Sequence, residues 1–148
     1  MSGYTNQYLA NQIASATPEQ LLLMFYDGAI RFTTLAIKAI DNNDIPKRAY
    51  YINKASAIVA ELDATLDRDQ DPQLAENLDA LYSYMLREYM NANKDNDAEV
   101  LQAILTMLKD LRETWARAAA IYRKEQTGVV TSDPLAASGP QGKIAVAM

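Results

Sequence analysis

The chain has 148 residues, 49% of them apolar, with only five glycines and five prolines; this fits one globular domain and excludes collagen-like and disordered classes. Fourteen basic against nineteen acidic side chains leave a net charge of −5, the wrong sign for a nucleic-acid or anionic-lipid partner. Cysteine and histidine are both absent, which removes disulfides, thiol nucleophiles, thiolate metal sites, and the commonest general base and metal ligand.

The opening stretch MSGYTNQYLANQ has neither a basic n-region nor an apolar h-region, so no signal peptide is expected. The longest apolar run, Leu21 to Tyr26, falls far short of the ~20 residues that cross a bilayer. The chain is therefore read as cytoplasmic, with no membrane insertion and no nucleic-acid binding.

Residues 1–16 are polar with spaced hydrophobes (Tyr4, Tyr8, Leu9, Ile13), the pattern of a short, weakly held helix that acts as an N-terminal cap segment. At Thr17-Pro18-Glu19-Gln20 a strong helix start follows. Thr17 is placed to cap, Pro18 suits the first helical position, and Gln20 can reach back as in a capping box. Asp41-Asn42-Asn43-Asp44 ends this first long helix, and Asp44 can cap a second with Pro46 in its first turn. Asp69-Gln70-Asp71-Pro72 repeats the device for a third. The break from Asn91 to Asp97 introduces the fourth, with Asn96 and Glu99 at capping-box spacing. Long helices joined by short loops predict an all-α fold, an antiparallel up-down four-helix bundle over residues 17–126. Residues 127–148, rich in Gly, Pro, Ser, Thr and Ala, are expected to form a flexible C-terminal tail.

Helical periodicity then assigns faces. On the first long helix Leu22, Tyr26, Ala29, Ile37 and Ile40 form one apolar row, and Leu21, Met24, Phe32, Leu35 and Ala39 form another. On the second, Tyr51, Ala55, Ile58, Leu62 and Leu66 are expected inward, flanked by Ile52 and Val59, with Tyr50, Asn53, Ala57, Ala60 and Ala64 on the far side. The third carries Leu74, Leu78, Leu81, Met85 and Tyr89 inward with Tyr82 at the edge, Tyr84 and Asn77 lying off the stripe. The fourth has a single face from Leu101 to Tyr122. Met24, Met85, Met90 and Met107 read as core. This apolar surface exceeds what one four-helix core requires. Either the N-terminal segment or an offset bundle geometry covers the excess, or it forms a groove for a partner's amphipathic helix.

Nothing in the sequence nominates catalysis, a cofactor or a metal. Ferritin-like sites need Glu-x-x-His, and Glu61, Asp63, Asp67, Asp69 and Asp71 read as a solvated helix-end cluster. Asp27 and Arg31 read as an ordinary surface pair one turn apart. Nine tyrosines against two phenylalanines suit either stripe edges with solvated hydroxyls or a recognition surface, for which Tyr4, Tyr8, Tyr50 and Tyr84 are the candidates.

The order of residues adds a resemblance. Ala16-Thr17-Pro18-Glu19-Gln20-Leu21-Leu22-Leu23-Met24-Phe25-Tyr26-Asp27-Gly28-Ala29-Ile30 resembles the opening of the FliS family of flagellar secretion chaperones. The likeness continues through Lys54-Ala55, Glu61-Leu62, Asn77-Leu78, Leu81-Tyr82-Ser83-Tyr84-Met85, Ala92-Asn93, Asp97, Leu111-Arg112 and Trp115. Residues 127–148 match no part of that pattern. The resemblance implies a cytoplasmic helical bundle that binds the disordered C-terminal segment of flagellin, which wraps it as extended chain and short helices. It further implies that flagellin is kept unpolymerised and presented to a component of the flagellar export gate. In that family the N-terminal segment covers part of the groove until the client displaces it, and Tyr8 and Ile13 occupy the matching region here.

Periodicity and resemblance together nominate the alanine-lined face (Tyr50, Asn53, Ala57, Ala60, Ala64) with Asn77, Leu81 and Tyr84 as the client groove. Asn77 would hydrogen-bond the backbone of an extended client. Two alternatives compete: self-association of the free protein into a homodimer through the spare apolar surface, and an enzyme working through carboxylates and tyrosine, for which no motif speaks.

Overall fold

A computed structural model describes residues 2–128, with side chains from residue 6 onward. Its helices are α1 (Ser2–Ser15), α2 (Pro18–Asp41), α3 (Ile45–Ala64), α4 (Pro72–Asp95) and α5 (Ala98–Gln126), with no strand among the described residues. Most of the expected tail lies outside the described residues; Thr127 caps the end of α5.

Local sequence accounts for most of the helix boundaries. Thr17 is extended, its hydroxyl accepts from the Gln20 amide at 3.1 Å, and the Gln20 side chain accepts from the Thr17 amide at 2.9 Å, which completes the capping box. The carboxylates of Asp44 and Asp71 accept from the amides of Lys47 and Leu74, each at 3.1 Å, at the starts of α3 and α4. One expectation is corrected. Asp97, not Asn96, caps α5, accepting from the Glu99 and Val100 amides at 3.0 and 3.3 Å. Asn96 instead closes α4 in the left-handed conformation (φ 55°), which asparagine tolerates better than most residues; this shortens the break to two residues.

α2 packs against α3 and α5, and α4 packs against the same two helices, around one shared core. Specific contacts tie the seams. Phe32 stacks on Tyr51 between α2 and α3, Arg48 binds Asn93 between α3 and α4, and Asp27 binds Arg112 between α2 and α5. Across the centre, Tyr26 on α2 meets Tyr82 on α4, and Thr33 meets Tyr89.

The core is rotated slightly from the expected stripes. On α3 the buried set is Ile52, Ala55, Val59 and Leu62, continued by Leu66; Tyr51 and Ile58 are half-buried against α2. On α4, Tyr82 is fully buried while Leu74 and Leu81 are only partly so. On α2, Thr33 and Ala36 are buried, whereas Ile37 and Ile40 are partly exposed. Met90 is not core. It follows the inward Tyr89 by one residue, about 100° around the helix, and is 72% exposed. The conventional face of α5 is as expected, with Leu101, Ile104, Leu105, Leu108, Trp115 and Ala119 buried.

Three tyrosine hydroxyls are buried, contrary to the expectation that they reach water. Trp115 Nε1 donates to the Tyr26 hydroxyl at 3.2 Å, and that hydroxyl is 2.6 Å from the Tyr82 hydroxyl. The Tyr89 hydroxyl lies 2.7 Å from Thr33 Oγ1, which itself donates to the Ala29 carbonyl. Burial raises the pKa of all three phenols, that of Tyr89 to about 12, so each stays a neutral donor. A paired polar network of this kind favours one register of α2, α4 and α5 over slipped alternatives.

Candidate partner-binding surface

Every described side chain of α1 up to Ser15 is exposed, Tyr8 at 67% and Ile13 at 43%. A helix of this length holds marginally by itself, so its attachment depends on a few apolar contacts. Leu9 and Ile13 provide them, closing one side of a groove that Met24, Phe25, Gly28 and Phe32 of α2 and Ile58 of α3 line. The groove encloses about 430 Å³. Gly28 explains its depth: a Cβ there would stand 3.1 Å from Ile58 Cδ1, so glycine lets α2 and α3 approach closely and leaves the floor open. Tyr8 does not line this groove.

The seam continues as an aromatic run. Phe32 and Tyr51 stack with ring centroids 6.2 Å apart, and Tyr51 meets Tyr50 edge-on at 5.3 Å. Beyond it lies a second cavity of about 160 Å³, lined by Leu35, Ala39, Tyr51, Lys38 and Lys47 among others.

The outer face of α3 presents Tyr50, Asn53, Ala57, Ala60 and Ala64, all exposed. On α4, Asn77 and Tyr84 are exposed and Leu81 is half-buried, and their spacing of four and then three residues puts them on one stripe. Asn77 Oδ1 accepts from Gln73 Nε2 at 3.0 Å, and Tyr84 donates to Glu88 at 3.4 Å. These two sets are not brought together. The side of α4 turned toward α3 is marked by Asp79, which meets Arg68 at 3.6 Å, and by Asn93, which meets Arg48. Asn77 is two residues from Asp79, some 200° around the helix, so its stripe lies on the opposite flank. The expected groove therefore resolves into separate surfaces: α1 over α2, the outer face of α3, and the far flank of α4.

Periodicity missed Phe25, Gly28 and Ile58 as lining residues of the α2–α3 groove. The signal was present in the doubled apolar row of α2 and in a glycine inside a helix. The Asp27–Arg31 pair is also corrected. Asp27 is engaged by Arg112 of α5 through a two-pronged contact of 2.8 and 3.2 Å, while Arg31 lies over the Phe32 ring, 4.4 Å from its centroid. Arg112 gains a helix-bridging partner that a same-helix reading overlooks, and the pairing raises its pKa further.

The acidic region does not form a metal site among the described residues. Asp67 accepts from the amides of Asp69 and Gln70, and Asp71 caps α4. Asp63 instead faces Asp79 across the α3–α4 seam. Burial, then the neighbouring Asp79 carboxyl, pushes the pKa of Asp63 up to about 6, and the hydrogen bond from Asp63 holds Asp79 below the usual range. A proton held by Asp63 can bridge to Asp79 only below about pH 6; above that the two carboxylates face each other as like charges, with Arg68 3.6 Å from Asp79. What the surface offers is concave apolar area with aromatic and charged rims, the equipment of a peptide-binding protein.

Comparison with known proteins fits this equipment. The family model described as Flagellar protein FliS matches residues 1–122. The chain is similar to the Flagellar secretion chaperone FliS of Bacillus subtilis, 36% identical over 121 residues that cover 82% of this chain and 90% of that protein. It is also similar to the protein of the same name from Campylobacter jejuni, 34% identical over 74% of this chain and 86% of that one. The Salmonella typhimurium counterpart is 30% identical over 78% and 86%. These proteins form a chaperone family, not an enzyme family, and this chain, an all-helical protein without a helix long and apolar enough to cross a membrane among the described residues, belongs to the FliS family of flagellar secretion chaperones.

Proposed function

We propose that this chain acts in the cytoplasm as an export chaperone that binds the C-terminal segment of flagellin, blocks its polymerisation and delivers it to a component of the flagellar export gate. The observation that carries this reading is the apolar α2–α3 groove, which among the described residues is covered only on one side, by the weakly attached α1. A client helix can replace Leu9 and Ile13 there with little loss to the core. The separate outer surfaces of α3 and α4 suit a client that wraps as extended chain, Asn77 offering an amide to unpaired backbone. The scaffold we infer for this is an antiparallel up-down four-helix bundle with α1 as a cap. Supporting it, Tyr26–Tyr82 and Thr33–Tyr89 advance together along α2 and α4, whereas Phe32–Tyr51 and Gly28–Ile58 run in opposite senses along α2 and α3.

Calorimetric titration with a peptide of the last ~40 residues of the same bacterium's flagellin, beside a scrambled control, tests the reading. Saturable 1:1 binding with a strongly negative heat-capacity change is expected for the native peptide alone. Deleting residues 1–15 should leave the melting transition cooperative and tighten binding, because the groove no longer has to be cleared. No binding by either form would remove the flagellin reading, and a peptide-insensitive dimer in sedimentation would assign the apolar surface to self-association.

A further inference from the structure

The α2–α3 seam changes character along its length. At one end it is apolar, between Met24 and Ile58. Cations follow it along its length: Arg31 in the wall of the first cavity, Lys54 between Tyr51 and Ile58 on α3, and, toward the other end, Lys38 and Lys47 with Asp44 in the wall of the second. This runs against a chain with nineteen acidic and fourteen basic residues. Nor are these charges neutralised locally. Of these four cations only Lys47 meets a carboxylate among the described residues, Asp44, at a long 3.9 Å, and Asp44 is already engaged in capping α3. Arg31 and Lys54 rest on aromatic faces instead, Lys54 5.4 Å from the Tyr50 centroid. A ring positions a cation without cancelling its charge, so the cations are held beside the groove and remain available. The one carboxylate that lines the apolar cavity among the described residues, Asp27, is taken up by Arg112.

Accepting the chaperone reading above, we propose that this seam selects an acidic amphipathic segment of the secreted client. Apolar side chains of the segment fill the cavity over Gly28, and its carboxylates follow past Phe32 and Tyr51 toward Lys38 and Lys47. The apolar end supplies the buried area. The cationic end sets direction and speeds encounter, since a cation-lined cleft with low-dielectric walls attracts opposite charge at a distance. A neutral or basic segment of equal hydrophobicity gains nothing from the second half of the seam.

The test uses the full chain, the flagellin C-terminal peptide, and the same peptide with every Asp and Glu replaced by Asn and Gln. The protein variant is Lys38→Gln/Lys47→Gln/Lys54→Gln, three exposed positions whose change should leave the melting temperature in place. We expect the variant to bind the native peptide about tenfold more weakly, mainly through slower association, and to bind the neutralised peptide no worse than the unchanged protein does. Raising salt from about 50 to 300 mM should weaken native binding and leave the neutralised peptide almost unaffected. Tight native binding that ignores both salt and the lysine changes would overturn the charge selection while leaving the chaperone reading intact. Absence of native binding by the unchanged protein would overturn both. A dimer of the free protein that the lysine changes dissolve would assign the seam to a second copy and overturn the proposal.

Discussion

Replacing Thr33 with valine should destabilise the protein more than replacing Tyr89 with phenylalanine, although the two residues share a single contact. The geometry determines this asymmetry. Thr33 Oγ1 lies 2.7 Å from the Ala29 carbonyl, which can only accept, so the one hydroxyl proton of Thr33 goes there. The Tyr89 hydroxyl, also 2.7 Å from Thr33 Oγ1, must then be the donor. Thr33→Val keeps the side-chain shape but leaves the Tyr89 hydroxyl in a fully buried position without an acceptor, at a cost of about 1–3 kcal/mol. Tyr89→Phe removes the donor itself, while Thr33 retains Ala29, and should cost about 0.5–1.5 kcal/mol. The double variant should cost less than the two singles summed, because the stranded hydroxyl is gone. Urea unfolding followed by helical circular dichroism and by Trp115 fluorescence measures all three, and a loss of 1–3 kcal/mol corresponds to a melting point lower by roughly 3–12 °C. A Tyr89→Phe loss exceeding that of Thr33→Val, or simple additivity, would refute the assigned direction of the hydrogen bond.

The carboxyl pair makes a prediction about pH. The folded-state pKa of Asp63, about 6, exceeds the ordinary value of 3.8, so between about 4 and 6 the folded chain holds more of this proton than the unfolded chain, and stability falls as pH rises through that window. Asp79, lowered, contributes stability that is present above the ordinary value and lost as pH falls through its folded pKa, below about 4. Asp63→Asn should flatten the slope between about 4 and 6 and raise stability at neutral pH by ~1 kcal/mol after solvent screening; an unchanged slope in urea midpoints measured across that range would contradict the pairing. At Gly28, leucine should cost about 1–3 kcal/mol by driving α2 from α3 and should also fill the groove. Alanine should be near neutral, since a helix-propensity gain of up to ~1 kcal/mol offsets the tight approach to the flexible tip of Ile58. Equal losses for the two variants in thermal melts would show that glycine is not there for the close approach.

Much of this was legible in the linear chain because it depends on neighbours in sequence. Capping at Thr17, Asp44 and Asp71 is a contact between residues three apart, and a proline in each first turn reinforces it. The ordered likeness from about Tyr4 to Trp115 carried the family for the same reason. At Asp97 the reading slipped by one residue because Asn96 and Asp97 are both competent caps; only the left-handed turn at Asn96 decides between them.

What the tertiary structure decided is the azimuth of each helix. Periodicity locates an apolar stripe but not the neighbour it faces, so where two rows adjoin, as with Leu81 and Tyr82 or Ile58 and Val59, the choice of the central one waits on packing. The same limit allowed Asp27 to be paired with Arg31 on its own helix when Arg112 arrives from α5, and allowed Ala57 and Asn77 to be grouped although the seam between their helices turns them apart. Those placements depend on contacts between residues far apart in the chain, such as Arg48 with Asn93 and Tyr26 with Trp115, which no local pattern encodes.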